Sequence, residues 1–243
     1  MRHLELTRPA GRARLERVPT GWSVDLDLAP GAGHAVELLD AAIAEVAGLG
    51  GGTLRLWARA GDPAAAAAGR ARGLVHERDL HQLRRPLPVD EAAPLDVRSF
   101  VVGQDEATWL AVNNRAFDWH PEQGGWTLED LEARMEAPWF DPAGFLLHER
   151  DGQLVGFCWT KGHRDVDPAL GEIYVIAVDP AAAVRGLGRP LTLAGLDHLH
   201  RQGIGVGMLY VDGGNAGGLH LYETLGFVVH HTDTSHTIEV PAS

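Results

Sequence analysis

Hydrophobic positions in the second half of the chain fall into short runs of two kinds. "GFLLHERD", "QLVGFCWTK", "EIYVIAV", "GMLYV", "FVVHH…HTIEV" and the shorter "DVRSFV" are dense in β-branched and aromatic residues and bounded by turn formers, the pattern of strands. "QDEATWLAVNNRAF", "TLEDLEARMEA", the run from Pro190 to Arg201 and "AGGLHLYETL" space their apolar residues three and four apart, as helices do. Strands that first follow one another and then alternate with helices predict an α/β fold, a mixed sheet flanked by helices. Asp151–Gly152, between two strand runs, predicts a tight hairpin turn.

The first ~85 residues repeat part of this rhythm. "WSVDLDLAP" reads as a strand, "HAVELLDAAIAEVAGL" as an amphipathic helix, "GTLRLWAR" as a strand, "DPAAAAAGRARGL" as a helix and "LVHERDLHQLRRPL" as a closing strand. The spacing from Trp57 to Gly73 equals that from Tyr210 to Gly226, with "GLVHERD" facing "GFVVHHTD". Both features suggest an old duplication of a strand–helix–strand–helix–strand unit. "PLPVDEAAP" (Pro86–Pro94) has linker composition. The expected division is residues 1–88 and 95–243.

Composition narrows the partners. With 45% apolar and 22% charged residues, the 243-residue chain is of ordinary globular make-up. Its formal charge of −12 argues against nucleic acid or an anionic membrane as a general partner. No apolar run reaches the ~20 residues of a membrane span, so a soluble, cytoplasmic monomer is expected. Cys158 is the one cysteine, which excludes an internal disulfide. In "LVGFCWT" it reads as a packing residue, with a nucleophile as the alternative. The 13 histidines show no compact ligand spacing, and no metal is expected.

Candidate chemistry concentrates in "GEIYVIAVDPAAAVRGLGRPLTLAGL", from Gly171 to Leu196. Glu172 opens an apolar strand, and period-two alternation puts it on one face with Tyr174, Ile176 and Val178. A loop carrying Gly186 and Gly188 at a helix start can bring backbone N–H groups to an anion, and Arg185 and Arg189 add positive charge. An ordinary strand-to-helix turn with two solvated arginines has the same appearance.

This strand and loop, together with "YVDGGNAGGLHLYETLGF" further on, resemble the GNAT family of acetyl-CoA-dependent N-acetyltransferases. The resemblance covers residues ~95–240 and implies acetyl-CoA as co-substrate. It implies acetyl-CoA contacts at Ile176, Ala177, Val178, Ala183, Val184, Arg185, Gly186, Leu187, Gly188, Arg189, Asn215, Ala216, Gly217, Gly218, Leu219 and His220. The family's usual Gln or Arg at the start of the loop is Ala183 here, which removes a side chain and leaves the backbone donors.

"VNNRAFDWHPEQGGWT", "GFCWTKGH" and "GEIYVIAVDP" resemble a two-domain branch of the same family. That branch acetylates the cysteine amine of cysteinyl-glucosaminyl-inositol. The resemblance implies that Glu122, Lys161, Glu172 and Tyr210 face a small-molecule amine, that Glu172 is the general base and that Tyr222 protonates the leaving thiolate. A base is needed because a protonated amine cannot attack a thioester, and partial desolvation is expected to tune Glu172 for that task. The Val178 backbone N–H is the candidate donor to the developing oxyanion. Tyr222 can equally be a core aromatic, and Lys161 and Glu122 a surface pair. A GNAT enzyme for another small polar amine, and a non-catalytic acetyl-CoA-binding protein, remain as alternatives.

The first half departs from the pattern. Its loop "DLAPGAGH" is five residues shorter, Trp22 falls where Glu172 stands and Gly69 where Tyr222 stands. It reads as a degenerate, partial GNAT-like half that lacks the opening strands and helices, the base, the cradle and the acid.

Overall fold

A computed structural model of the protein describes residues 3–9, 11–18, 20–28, 34–91, 95–119, 123–182 and 184–243. The chain forms two compact units, each discontinuous in sequence. One holds Met1–Gln82, Val211–Ala216 and Val229–Ser243; the other holds Leu83–Tyr210 and Gly217–Val228.

The first unit opens with a hairpin the hydrophobic pattern did not announce, β1 (His3–Arg8) and β2 (Gly11–Val18). β3 (Gly21–Leu28), α1 (Ala35–Gly48), β4 (Gly52–Ala58), α2 (Pro63–Ala71) and β5 (Val75–Pro86) follow, in the predicted strand–helix alternation. The expectation that this half lacks opening strands is therefore corrected. Their one-sided alternation hid them: Ala13 and Leu15 are buried while charged neighbours face out. β11 (Val228–Val240) pairs antiparallel with β4 from Thr234↔Ala58 to Val240↔Gly52. Leu38, Leu39, Ala42 and Val46 of α1 close the core against Leu15, Val24, Leu54 and Leu56. Asp62 caps α2 by accepting from the Ala64 (2.8 Å) and Ala65 amides, ahead of Pro63 at the first helical position.

The second unit carries β6 (Arg98–Ser99), α3 (Glu106–Ala116), α4 (Leu128–Met135), β7 (Phe145–Arg150), β8 (Gln153–His163), β9 (Leu170–Val178), α5 (Gly188–Arg201), β10 (Val206–Asp212) and α6 (Ala216–Thr224). The last residues of β10 and the first of α6 belong to the other unit. Its strands lie in the order β10-β9-β8-β7-β6. β9 is antiparallel to β8 and parallel to β10, which gives the mixed sheet expected. "DVRSFV" pairs over only two residues, Arg98↔Leu147 and Ser99↔Leu146. Asp151 (φ 54°) and Gly152 (φ 72°) make the predicted turn, both left-handed as a two-residue hairpin demands.

One face of this sheet packs on α3 and α4 through an aromatic core. Trp159 is fully buried, its ring stacked on Phe145 at 4.3 Å between centroids and edge-on to Tyr174 at 5.3 Å. The other face lies against α5. A Cβ on Gly195 would come within 2.5 Å of Cys158 Sγ and 2.7 Å of Ile173 Cδ1, so this close approach tolerates only glycine. Cys158, sealed there, has its thiol pushed up to about 12 by burial and is a packing residue rather than a nucleophile.

The two element orders, β3-α1-β4-α2-β5 and β9-α5-β10-α6-β11, are the same. Each first pair of strands is parallel over a short stretch, Trp22–Asp25 with Leu54–Trp57 and Leu170–Glu172 with Val206–Met208. Gly69 and Tyr222 each stand seventh in their helices, as the aligned spacing requires.

Candidate active site

Glu172 sits where two neighbouring strands separate. β9 and β10 pair only at Val206↔Leu170, Gly207↔Gly171 and Met208↔Glu172, although β9 runs on to Val178. Past Glu172 the β9 edge that faced β10 is no longer laddered to it, leaving strand amides and carbonyls available to a ligand.

A bulge reorients the strand at the same place. Trp159 pairs with Val175 and Thr160 with Ile173, so Tyr174 is the extra residue. Glu172 and Tyr174 keep the face turned to α3 and α4. Val175 and Ala177 then share that face, packing with Phe157 and Trp159. Ile176, opposite Cys158, is displaced to the α5 side. The expectation that Glu172, Ile176 and Val178 share one face is thus corrected, because period two holds only while the register is unbroken. Asp179 donates its amide to the Val155 carbonyl at 2.9 Å. Strand amides alternate edges, so the Val178 N–H points away from β8, toward the separated edge.

Glu172 is buried, only 8% exposed, and its carboxylate lies 2.7 Å from His163 Nε2 on β8. Lys161 stands directly across from Glu172 in the ladder, yet its ammonium rests over the rings of Trp139 (4.7 Å) and Tyr174 (5.4 Å). Arg134 lies over Trp126 at 3.7 Å and donates to the Tyr174 hydroxyl at 3.3 Å. Strand alternation placed Tyr174 on this face and the family resemblance named Lys161; Arg134, Trp126, Trp139 and His163 were singled out by neither.

The loop after β9 enters α5 without a side-chain cap. Gly186 has φ +80°, and a Cβ there would meet open space. Leu187 is buried and anchors the loop, and Gly188 packs on Leu221 of α6. Unsatisfied N–H groups at a 14-residue helix start, beside open space, suit an anion. Arg185 is exposed. Arg189, expected as free positive charge, is already engaged: its Nε donates to Glu91 at 2.9 Å and its Nη1 to Thr224 at 3.1 Å.

Tyr222 is buried on α6, its ring against Phe227 at 5.8 Å. Burial, with a smaller contribution from Cys158, pushes its hydroxyl up to about 12. Leu219 is half-buried and His220 exposed on the same helix, after Gly217 and Gly218; Asn215 and Ala216 form its start, where Asn215 N–H donates to the Asp212 carbonyl at 2.9 Å. Tyr210 is 40% exposed on β10. Glu122 and Ala183 lie outside the described residues. Two adjacent asparagines hold the chain just after Glu122: Asn113 donates to the Gln123 carbonyl at 3.0 Å, and Asn114 exchanges two bonds with the Trp126 backbone (2.8 and 3.0 Å). A cavity of ≈ 760 Å³ between α3 and α4, lined by Leu110, Leu128, Met135 and Phe140, involves neither Glu172 nor the glycine loop. Among the described residues no cluster of His, Cys, Asp and Glu could hold a metal ion.

The profile of the Acetyltransferase (GNAT) family matches residues 111–227. Thermomonospora curvata mycothiol acetyltransferase is 48% identical over 243 residues, covering 96% of this chain and 80% of that protein. Its Streptomyces avermitilis namesake is 48% identical over 86% of this chain and 68% of that protein. In other relatives of the same name the match spans as little as 57% of their length. Among solved structures, a GCN5-related N-acetyltransferase from Sphaerobacter thermophilus superposes with TM-score 0.76 at 23% identity, over 96% of this chain and 78% of that one. A tandem GNAT protein from the clavulanic acid biosynthesis pathway superposes with TM-score 0.67 at 16% identity, over 96% and 80%. The chain is an acyltransferase that belongs to the GNAT acetyltransferase family, within the group whose curated members are named mycothiol acetyltransferase.

Proposed function

We propose that the chain transfers the acetyl group of acetyl-CoA to the cysteinyl amine of cysteinyl-glucosaminyl-inositol, giving mycothiol. The observation that carries this reading is the buried Glu172 at the point where β9 and β10 part, on the strand that leads into a glycine loop opening on an uncapped helix.

Acetyl-CoA supplies an activated thioester. Its pyrophosphate fits the amides from Val184 to Arg189, with Ala183 at the head of the loop, and its pantetheine arm fits the free β9 edge at Ile176, Ala177 and Val178. The start of α6, Asn215 to His220, borders the far arm. Glu172 takes the proton from the substrate ammonium, directly or through water, and frees the amine lone pair. The Val178 N–H donates to the carbonyl oxygen as negative charge develops there. Tyr222, with its hydroxyl pushed up to about 12, stays protonated throughout the neutral range. An alcohol that weak in acidity cannot hand its proton fully to a thiolate of ordinary pKa ~8.5, so it acts chiefly as a hydrogen-bond donor to the departing sulfur.

Glu122, Lys161 and Tyr210 orient the sugar and inositol hydroxyls. Lys161, half-buried over Trp139 and Tyr174, presents a cation on the carboxylate's face of the sheet. Residues 1–88, with Trp22 and Gly69 in place of the base and the acid, form a structural half, and residues 95–243 form the catalytic part. It works as a soluble, cytoplasmic monomer.

The test is release of free thiol from acetyl-CoA with cysteinyl-glucosaminyl-inositol, simple amines and aminoglycosides offered side by side, for the wild type and Glu172→Gln. A preference for the cysteinyl substrate, and a loss of roughly 10²–10⁴-fold in turnover in the variant, are expected. Equal activity on all amines would remove the substrate assignment; an active Glu172→Gln would remove the base.

A further inference from the structure

We infer that His163 is a positioning residue for the base, holding one oxygen of Glu172 so that the other faces the amine. The inference rests on the reading of Glu172 as base.

The ladder explains why this histidine reaches the carboxylate. Lys161 and Glu172 are paired partners on β8 and β9, followed by Gly162↔Gly171 and His163↔Leu170. Side chains two apart on a strand share a face, so His163 is the diagonal neighbour of Glu172 on Lys161's face. Nε2 ends 2.7 Å from Glu172 Oε2, a strong hydrogen-bond distance.

The other nearby cations are committed elsewhere. Lys161 lies on the Trp139 and Tyr174 rings, Arg134 on Trp126 and the Tyr174 hydroxyl, and Arg164 donates to the Gln202 carbonyl at 3.1 Å. Among the described residues, His163 is the one side chain within hydrogen-bond distance of the carboxylate. Burial makes that contact consequential. A carboxylate only 8% exposed has little water to satisfy it, and without a donor it would rotate to find one. With Nε2–H donating to Oε2, that oxygen is held in place and the second is left to accept the substrate's proton. His163 itself touches no reacting atom in this arrangement.

Glutamine can place an amide N–H near the position of Nε2, whereas alanine cannot. The experiment compares wild type, His163→Ala, His163→Gln, Glu172→Gln and the double variant His163→Ala/Glu172→Gln, with acetyl-CoA affinity by calorimetry as the check on folding. His163→Ala should lose about 10- to 100-fold in kcat with acetyl-CoA Kd unchanged, and His163→Gln should recover most of it. In the Glu172→Gln background, His163→Ala should cost nothing further, since its partner is already gone. Wild-type kcat in His163→Ala with Glu172→Gln inactive would overturn the positioning role alone. The same follows if both His163 variants lose activity equally, or if His163→Ala costs as much in the double variant as by itself. Wild-type turnover in Glu172→Gln would overturn the base, and the positioning role with it.

Discussion

Met208 is the last residue of β10 to pair with β9, and its partner there is Glu172. The carboxylate therefore occupies the fork of the sheet, where burial by one strand gives way to access from the other side. A shift of one residue either way would turn the side chain to the α5 face, where Gly171 and Ile173 lie. The bulge at Tyr174 follows at once and turns the remaining β9 residues, so one short stretch supplies a buried carboxylate and then a free backbone edge.

The glycine loop gives a test that separates charge from backbone shape. Gly186 has φ +80°, a conformation asparagine and aspartate tolerate better than other residues. Gly186→Asn should bind acetyl-CoA within a few-fold of wild type. Gly186→Asp, which differs in charge, should weaken it at least about tenfold by facing the pyrophosphate with a carboxylate. Calorimetric Kd values that are equal for the two variants would place the phosphates elsewhere.

Tyr222→Phe should lower kcat about 10- to 100-fold, less than a full general acid would contribute. Because burial pushes the hydroxyl up to about 12, its ionisation should leave the wild-type profile flat through pH 9 to 10. An alkaline limb below pH 10 that vanishes in Tyr222→Phe would show the hydroxyl to be far more acidic than its surroundings allow.

Asp105 links folding to pH. The Arg98 guanidinium, at 2.7 and 2.8 Å, and then the Val101 amide at 2.7 Å hold its carboxyl below the usual range. A carboxyl lowered on folding stabilises the protein above its unfolded pKa, and that stability is lost as pH falls through the folded one. Asp105→Asn should therefore destabilise at pH 7, and the gap to wild type should close as pH falls below about 4. Urea midpoints across that range measure it; a gap that widened on acidification would contradict the pairing.

Gly195→Ala tests the seat of α5. Alanine improves helix propensity by up to about 1 kcal/mol. Its methyl would meet Cys158 Sγ at 2.5 Å and Ile173 Cδ1 at 2.7 Å, both in a packed core. Overpacking of that kind costs about 1–3 kcal/mol, so the clash should win and stability should fall. A raised urea midpoint would mean that helix and sheet are less tightly joined.

Much of the fold was legible along the chain. The apolar runs marked β7 to β11, apolar spacing of three and four marked α3 to α6, and Asp-Gly marked the β7–β8 turn. These signals are local, set by backbone preference and by which face of one element must be buried. Glu172, Lys161, Tyr222 and the glycine loop could be singled out in the same way, as unusual residues at fixed spacings and by resemblance to a family. β1, at the sheet's edge, and β2 beside it escaped because strands with charged outer faces carry few apolar residues.

The sequence by itself determined the class of fold, the order of its elements and the residues from which a site could be built. Tertiary structure decided which of those residues meet. The Tyr174 bulge, the parting of β9 from β10 after Met208, the engagement of Arg189 by Glu91 and the bond from His163 to Glu172 each depend on a register or a contact between segments distant in sequence. Register is chosen by the packing of both faces of a sheet at once, and no single strand's pattern contains that information.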